Sequence, residues 1–381
     1  MRTAIVHEWL PVYGGAERVL EQMLHVFPDA ELYSLFEFLP DDQRAFLQGR
    51  TVHTSFVQRL PWARKAYRYY LPLMPLAIEQ FDLTGFDVVL SQSYGVAKAV
   101  LTNGQQLHIS YVCTPVRYAW DLYFQYLHEA GLERGLRASF VKLVLHYLRL
   151  YDVATANRVD HYLANSRYVA RRIEKIYRRR AQVIYPPVDT KGFELQREKE
   201  DYYFTVSRMV PYKKIDLIVE AFHAMPDKKL VVIGEGPDFD KIARKAGPNV
   251  ELMGYQPFDV VKRYMAHARA LVFAAEEDFG IVPVEAQACG TPVLAFGRGG
   301  ALETVLDGVT GLFFHEQSVP ALMEAVQEMD RRHRTFDPER IRRHAEGFSA
   351  DRFRAELGTY VSEQWDRFRR EGRTVERDPI P

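Results

Sequence analysis

The sequence predicts an α/β protein with two doubly wound parallel sheets, each in its own domain, that face one another across a cleft. Short apolar runs with strand character alternate with amphipathic helical segments along almost the whole chain, a pattern typical of parallel sheets covered by helices on both faces. The alternation occurs twice, and 381 residues are too many for one ordinary core. Ligands bind beyond the carboxyl ends of the strands in such sheets, so we expect function in the loops that follow strands.

The first domain begins with a strand in "TAIVHEWL", which is followed by a glycine turn and an amphipathic helix in "VYGGAERVLEQMLHVF". A second strand is predicted in "AELYSLF", and further strands in "FDVVLSQS", "LHISYVCTP", "HYLANS" and "AQVIYPP". The second domain repeats the plan. Its predicted strands are "YYFTVS", "KLVVIG", "VELMG" and "ALVFAA", and its helices are "KKIDLIVEAFHAM", "FDKIARKA", "FDVVKRYMAHA" and "PVEAQACG".

The domain boundary is predicted in "YPPVDTKGFELQREKED", where two prolines and a charged stretch interrupt the pattern. Apolar residues recur at helical spacing in the tail, at Phe348, Phe353, Leu357, Val361 and Trp365. This spacing predicts a C-terminal helix that crosses back onto the first domain. The predicted segments are therefore 1–187, 188–347 and the returning helix in 348–381.

Composition excludes several classes of protein. The apolar content of 47% and charged content of 26% are those of a soluble globular protein. The two cysteines, Cys113 and Cys289, have no metal-like spacing. The chain enters its first strand without a basic and apolar leader, and no apolar run is long enough to span a membrane, so we expect a cytoplasmic location. Residues 1–186 hold 22 Lys and Arg against 17 Asp and Glu; this mildly basic half indicates an anionic surface as partner rather than nucleic acid.

Two glutamates flank the loop in "EEDFGIVPVEAQACG". Glu277 follows a predicted strand, and Glu285 is expected in the first turn of the next helix, where the dipole favours a carboxylate. No Ser, Thr, Asp or Asn stands before Pro283 to cap that helix, so its leading N–H groups are predicted to face a ligand rich in oxygen. Alone, Glu285 could simply satisfy the helix end, and Glu277 could be a solvated strand terminus. As a pair beside uncapped backbone N–H groups, the two carboxylates could accept hydrogen bonds from some hydroxyl groups of a sugar while the N–H groups donate to others.

Two cations follow the strand "YYFTVS". Arg208 and Lys213 lie beside a predicted helix N-terminus, a position that the dipole disfavours for cations unless an anion joins them. A guanidinium fork and a lysine together suit a diphosphate, although a surface Arg and Lys are also commonly just solvated. In the first domain, Gly14 and Gly15 are predicted to form a turn. The missing side chains could let a ligand approach the backbone there, or the pair could simply form a tight turn.

Taken together, these motifs resemble the retaining glycosyltransferases of family four, which have the GT-B architecture of two Rossmann-like domains. Their signature, two glutamates separated by seven residues, is matched in "EDFGIVPVEAQACGTPVLA". The flanking segments "TPVRYAWD", "VIYPPVDTKGF", "VSRMVPYKK", "VVIGEGPD" and "ALETVLDGVTGLFF" also fit, so the resemblance covers nearly the whole chain. The N-terminal half, with "HISYVCTPVRYAWD", is most similar to bacterial mannosyltransferases that build O-antigens and exopolysaccharides.

The resemblance implies a role for each site residue. Glu277 would hold hydroxyls of the transferred sugar, helped by the N–H groups of Phe279, Gly280 and Ile281, and Glu285 would accept from the ribose. Arg208 and Lys213 would clamp the diphosphate, which Gly14 and Gly15 would approach from the other domain. The implied enzyme transfers a hexose, mannose from GDP-mannose, to a lipid-linked or oligosaccharide acceptor, and it needs no metal or other cofactor.

Two features depart from this pattern or imitate another one. Cys113 stands where many relatives have a histidine that touches the donor sugar, and Cys is a poor donor and acceptor; as a catalytic nucleophile it lacks an adjacent histidine in the sequence. Asp238 and Asp240 imitate a metal-binding triplet, but they open a helix, where Asp is a common cap.

Alternative functions are a UDP-sugar transferase of the same fold, or a nucleotide-sugar-binding scaffold that has lost catalysis. An epimerase or a phosphorylase-like enzyme of similar architecture would need an additional acid–base pair or a pyridoxal lysine, for which the sequence has no motif.

The stretch "VQRLPWARKAYRYYLPLMP" predicts docking on a membrane surface. It mixes the basic residues Arg59, Arg64, Lys65 and Arg68 with aromatic and aliphatic residues, a composition that favours lipid interfaces. "RGLRASFVKLVLHYLRLYD" adds basic residues beside an apolar helix. Both could also be ordinary helices with one buried face. With a lipid-linked acceptor, we expect a peripheral protein on the inner face of the cytoplasmic membrane.

Overall fold

Two parallel sheets organise the chain, of which the computed structural model describes residues 1–375. The structure divides into two units: residues Met1–Tyr185 with those from Phe353 onward, and residues Pro186–Arg352. The predicted bounds were 187/188 and 347/348, so each division lies within a few residues of its predicted position.

The first unit is built on a seven-stranded sheet. Its strands are β1 (Thr3–His7), β2 (Glu31–Ser34), β3 (Val52–Thr54), β4 (Val88–Ser93), β5 (Leu107–Val112), β6 (His161–Ala164) and β7 (Ala181–Val183). All neighbours pair in parallel, in the order β3-β2-β1-β4-β5-β6-β7. The central strands β1, β4 and β5 are buried along their whole length, as expected for parallel strands with both faces covered.

Helices cover this sheet. They are α1 (Gly15–Val26), α2 (Ala63–Ala66), α3 (Met74–Ile78), α4 (Tyr123–Glu129), α5 (Leu136–Ala154) and α6 (Arg167–Tyr177). Helix α1 buries Val19, Leu20, Met23 and Leu24 against the sheet, at the spacing that predicted it.

The second unit has a six-stranded sheet in the order β10-β9-β8-β11-β12-β13, again entirely parallel. The strands are β8 (Tyr203–Val206), β9 (Leu230–Ile233), β10 (Val250–Leu252), β11 (Ala270–Phe273), β12 (Val293–Phe296) and β13 (Gly311–Phe314). The helices are α7 (Ile215–His223), α8 (Phe239–Ala243), α9 (Phe258–His267), α10 (Ile281–Ala288), α11 (Ala301–Thr304), α12 (Val319–Arg332) and α13 (Pro338–Glu346). The prediction of two doubly wound α/β units is therefore confirmed.

The tail is a single long helix, α14 (Ala350–Val375). Its residues Phe353, Leu357 and Val361 are buried in the same cluster as Leu20 of α1 and Tyr111 of β5. The ring of Phe353 meets that of Tyr111 edge-on, with centroids 5.9 Å apart. The buried face of α14 at Phe353, Leu357 and Val361 is thus part of the core of the first unit.

None of the helices described over residues 1–375 is both long enough and apolar enough to cross a membrane.

Candidate functional site

The predicted donor site lies at the point in the second sheet where the strand order reverses, between β8 and β11. From β8 the chain moves outward through β9 and β10, and it then returns to place β11 on the other side of β8. Helices that follow β8 and β11 therefore leave the sheet on opposite faces, which opens a crevice at the carboxyl ends of these two strands. Arg208 follows β8 and Glu277 follows β11, so both lie at this switch point.

Lys213 and Glu277 form an ion pair across the crevice. Lys213 ends a short 3-10 turn after β8, and its Nζ donates to Oε1 of Glu277. The two side chains are each about one-fifth exposed, at 20% and 19%. The ammonium also lies 5.4 Å from the ring centroid of Tyr212. The fold therefore brings together two predicted site residues that are 64 positions apart in sequence.

Arg208 is exposed and lies five residues before Lys213, in the same loop after β8. Its loop is held by the backbone of the "GEGPD" segment, where the N–H of Met209 donates to the carbonyl of Glu235 at 2.8 Å. At Gly234 a Cβ would lie 1.9 Å from the carbonyl oxygen of Ser207, and φ is +137°. Glycine is therefore required here for close packing of the loop that carries Arg208, a role that was not identified from the sequence.

The loop between Glu277 and α10 presents backbone donors. Gly280 is the N-cap of α10 at φ +89°, and no side chain among the described residues caps the helix. Phe279 is buried, with its ring packed edge-on against Phe348 at 5.6 Å. The first N–H groups of a helix have no partner within the helix, and the binding of an oxygen-rich ligand by those of Ile281 and its neighbours stays a prediction.

A second glycine pair, Gly299 and Gly300, packs against the backbone of this loop and was not identified from the sequence. The N–H of Gly300 donates to the carbonyl of Glu277 at 2.8 Å. A Cβ at Gly300 would lie 2.3 Å from Cα of Phe279. The Gly-Gly pair in "GRGGALE", directly after a strand, was the available signal.

Glu285 is placed differently from the prediction. Helix α10 begins at Ile281, so Glu285 is its fifth residue and lies in the second turn, not the first. Its side chain is also buried, with the residue 4% exposed. The expected favourable interaction with the helix terminus is therefore wrong as stated, because the helix starts two residues before Pro283. The contact of Glu285 with a ribose stays a prediction.

The first unit brings the Gly14–Gly15 turn close to Cys113. Gly14 is the N-cap of α1, and its N–H donates to Glu17 Oε2 at 2.9 Å. Gln92, at the end of β4, donates to the carbonyl of Ala16 at 2.7 Å and lies 3.7 Å from Sγ of Cys113. One side chain thus joins the glycine turn to the cysteine.

A buried histidine completes this cluster. His7, the last residue of β1, lies 3.2 Å through Nδ1 from Gln92 Oε1 and 3.4 Å through Nε2 from Glu17 Oε1. The fold thus links an imidazole to Cys113 through Gln92, although no histidine is close in sequence. His7, Glu17 and Gln92 were not identified from the sequence; polar residues at strand ends inside "TAIVHEW" and "VVLSQS" were the signal.

Glu8 orders the neighbouring loop. Its fully buried carboxylate accepts from the N–H groups of Tyr94, Gly95, Val96 and Ala97. Burial raises the pKa of Glu8, and these four donors oppose that rise. The Glu8 carboxylate therefore holds the loop after β4 through the backbone N–H groups of that loop, at the same end of the sheet as the glycine turn.

The Asp-x-Asp sequence lies at a helix start, as expected. Asp238 is the N-cap residue of α8, but its side chain makes no capping hydrogen bond, and Asp240 lies in the first turn. Among residues 1–375, no group of three or more His, Cys, Asp or Glu side chains is arranged to hold a metal ion.

Similarity to known proteins divides along the two units. Residues 13–191 match the family described as Glycosyltransferase Family 4, and residues 189–335 match Glycosyl transferases group 1. An uncharacterized glycosyltransferase of Methanocaldococcus jannaschii is 32% identical over 202 residues, which cover 51% of this chain and 56% of the relative. A GDP-mannose-dependent alpha-(1-6)-phosphatidylinositol monomannoside mannosyltransferase of Mycolicibacterium smegmatis is 35% identical over 141 residues, or 32% of this chain and 37% of the relative. The chain thus spans from about a third to just over half the length of these two curated relatives.

Solved structures share the fold at low identity. HepE of Anabaena, solved in complex with UDP, superposes with a TM-score of 0.70 at 15% identity, covering 95% of this chain and 100% of that one. A sucrose-phosphate synthase of Thermosynechococcus elongatus gives a TM-score of 0.74 at 16% identity, covering 96% and 100%. Adjoining matches to two glycosyltransferase family models thus extend from residue 13 to residue 335, and the whole chain has the α/β GT-B fold.

Proposed function

We propose that this protein is a retaining α-mannosyltransferase that uses GDP-mannose. It transfers the sugar to a lipid-linked or oligosaccharide acceptor during synthesis of a surface polysaccharide, at the inner face of the cytoplasmic membrane. The observation that supports this most directly is the Lys213–Glu277 ion pair at the switch point, with Arg208 exposed in the loop that also carries Lys213. A site with cations on one side and a carboxylate on the other suits a donor in which the diphosphate is bonded to the sugar.

The cations take the place of a metal ion in this proposal. Arg208 and Lys213 bind the diphosphate and stabilise the charge that develops on it as the bond to the sugar breaks. The backbone that carries each cation is held in place, since Gly234 packs on the loop of Arg208 and Lys213 ends a hydrogen-bonded turn. Such donors need little reorganisation during the reaction, which is the condition for electrostatic catalysis.

The sugar is held on the other side of the pair. Glu277 accepts from its hydroxyl groups, and the N–H groups of Phe279, Gly280 and Ile281 donate to others. Glu285 accepts from the ribose. Because the Glu277 carboxylate pairs with Lys213, a diphosphate that binds Lys213 competes with Glu277 for it. Donor binding then exchanges a protein ion pair for a protein–ligand one, which favours a ligand that offers both a diphosphate and sugar hydroxyls.

Retention proceeds on one face of the sugar. The acceptor hydroxyl attacks on the face that the diphosphate leaves, a leaving phosphate oxygen takes the hydroxyl proton, and the products are GDP and the α-mannoside. This route needs no carboxylate nucleophile.

A thermal-shift panel tests the donor. GDP, GDP-mannose, UDP and UDP-glucose are compared, and the true donor class raises the unfolding temperature most, since a ligand at one hundred times its Kd adds about 2.7 kcal/mol of stability. Lys213→Ala is the matched control and should lose the shift. A response to uridine nucleotides alone would show that GDP-mannose is not the donor. If no nucleotide raises the unfolding temperature, the proposed donor site is wrong.

Slow hydrolysis of the donor without acceptor separates an enzyme from a binding scaffold. We expect release of mannose from GDP-mannose by the wild type but not by Arg208→Ala. Tight binding without release, and without transfer to any acceptor, would favour the scaffold instead. The anomeric configuration of the product, measured by NMR, tests retention.

A further inference from the structure

His7 lies at the carboxyl end of β1, and each of its two ring nitrogens faces a side-chain oxygen. Nδ1 lies 3.2 Å from Oε1 of Gln92, and Nε2 lies 3.4 Å from Oε1 of Glu17. The imidazole is completely buried, and Glu17 is 5% exposed. A buried polar group needs a hydrogen-bonding partner, so the hydrogens on the ring follow from what these two oxygens can accept or donate.

The orientation of the Gln92 amide is fixed by a backbone carbonyl. Its Nε2 lies 2.7 Å from the carbonyl oxygen of Ala16, and only the NH2 group of an amide can donate to that oxygen. If the amide were reversed, two oxygens would face each other at this short distance. Oε1 of Gln92 therefore faces His7, and because an amide oxygen only accepts, Nδ1 of His7 carries a hydrogen.

Glu17 determines the state of the second ring nitrogen. One carboxylate oxygen, Oε2, accepts from the N–H of Gly14 at 2.9 Å, and the other, Oε1, faces Nε2 of His7. A carboxylate oxygen only accepts, so one proton must lie between Nε2 and Oε1. We place it on the ring, because an imidazole in water is more basic than a carboxyl group by about two pKa units.

The other ionisable groups around the ring leave Glu17 as the anion that faces it. Tyr94 packs edge-on against His7, with ring centroids 6.0 Å apart, and burial raises the pKa of its hydroxyl far enough to keep it neutral. The carboxylate of Glu8 accepts from four backbone N–H groups of the loop after β4. Cys113 contacts the NH2 group of Gln92 at 3.7 Å.

We propose that His7 is an imidazolium whose charge neutralises Glu17, and that this neutralisation allows the Gly14–Gly15 turn to bind the phosphate groups of a nucleoside diphosphate. Glu17 holds the N–H of Gly14, so without the His7 proton an uncompensated carboxylate would repel an anion at this turn. His7 acts through Glu17 and is a positioning residue. The inference rests on the proposed function, which supplies the ligand, a donor that contains GDP.

The variant Glu17→Gln separates the charge of this pair from its shape. The oxygen of the new amide can accept from Gly14, and its NH2 group can donate to Nε2 of His7, so both hydrogen bonds can remain. Nε2 then accepts, and the ring needs a hydrogen on Nδ1 alone. The matched control is Glu129→Gln, which makes the same change at an exposed position of α4.

Titration calorimetry with GDP between about pH 6 and about pH 9 tests the coupling. We expect the GDP affinity of wild type and of Glu129→Gln to fall as the pH rises, by up to about tenfold per pH unit, which is the limit for one linked proton. Glu17→Gln should lose this fall and keep only the pH dependence that the phosphates of GDP contribute.

Nitrogen-15 NMR of the histidine-labelled full chain tests the charge state directly. At neutral pH, His7 should show two proton-bearing ring nitrogens in wild type and one in Glu17→Gln, and this change identifies its signal. A wild-type affinity curve no steeper than that of Glu17→Gln would overturn the inference, as would a bare ring nitrogen at His7 in wild type. Absence of GDP binding at every pH would refute the proposed donor as well, and the NMR spectrum would still decide the charge state of His7.

Discussion

Replacement of Gly300 by alanine tests how the donor loop is positioned. Gly300 has φ −67° and ψ −20°, a conformation that alanine adopts readily, so the substitution introduces no backbone strain. The added Cβ would lie 2.3 Å from Cα, 2.5 Å from O and 2.6 Å from C of Phe279. All three are backbone atoms, so no side chain can rotate away. Restoring an ordinary contact of 3.4 Å requires the two loops to separate by about 1.1 Å.

The displaced segment carries the donor contacts. It contains Glu277 and the N-cap of α10, and a misplacement of about 1 Å near reacting groups can lower the rate about a hundredfold. Overpacking of this kind also destabilises by about 1–3 kcal/mol, which lowers the unfolding midpoint of a unit of this size by about 2–4 °C per kcal/mol. We therefore expect Gly300→Ala to fold, to lose several degrees of stability, and to lose most of its transfer activity and donor binding.

The assay is thermal unfolding with and without GDP, followed by the initial rate of transfer or donor hydrolysis. The control is Gly104→Ala, because a Cβ there meets nothing within 4 Å; this variant should be as stable as the wild type or slightly more so. If Gly300→Ala matches Gly104→Ala in midpoint, GDP shift and rate, the loop is not held as the geometry indicates.

Three further predictions concern the same crevice. Arg208→Ala and Lys213→Ala should each lower turnover about a hundred- to a thousandfold with the fold retained, whereas the exposed Lys229→Ala should not; more than half of the activity in either variant would refute the diphosphate assignment. Activity should survive exhaustive EDTA treatment, and a manganese or magnesium requirement would redirect attention to the Asp-x-Asp sequence in "GPDFDKIA". In calorimetric titrations, Glu285→Ala should weaken binding of GDP itself, whereas Glu277→Ala should keep GDP affinity at or above wild type, because the carboxylate that pairs with Lys213 is gone, and should lose transfer. Equal losses of GDP affinity would exclude this division of roles.

The sequence by itself determined most of the secondary structure and its order, because those signals are local, although β3, β12 and β13 were not predicted. Apolar runs of four to six residues mark β1, β8 and β11, and the spacing of Val19, Leu20 and Met23 marks the buried face of α1. Alternation of strands with helices then requires parallel sheets, since parallel neighbours need a crossover connection. The donor residues could be placed in loops after strands for the same reason.

Contacts between distant segments were decided only by the tertiary structure. Lys213 pairs with Glu277, and His7 connects to Cys113 through Gln92, because strand order brings the ends of β8 and β11, and of β1, β4 and β5, side by side. Strand order depends on the packing of the whole sheet, which no local window of sequence contains.

Burial was decided in the same way. Periodicity shows that a face of α5 is apolar, but not whether another element covers it, and α5 proves to have one covered face and one bare face. The start of α10 shows the converse. Pro283 is compatible with several positions in a first turn, and only the folded structure shows that the helix starts at Ile281 and that Glu285 is buried in its second turn.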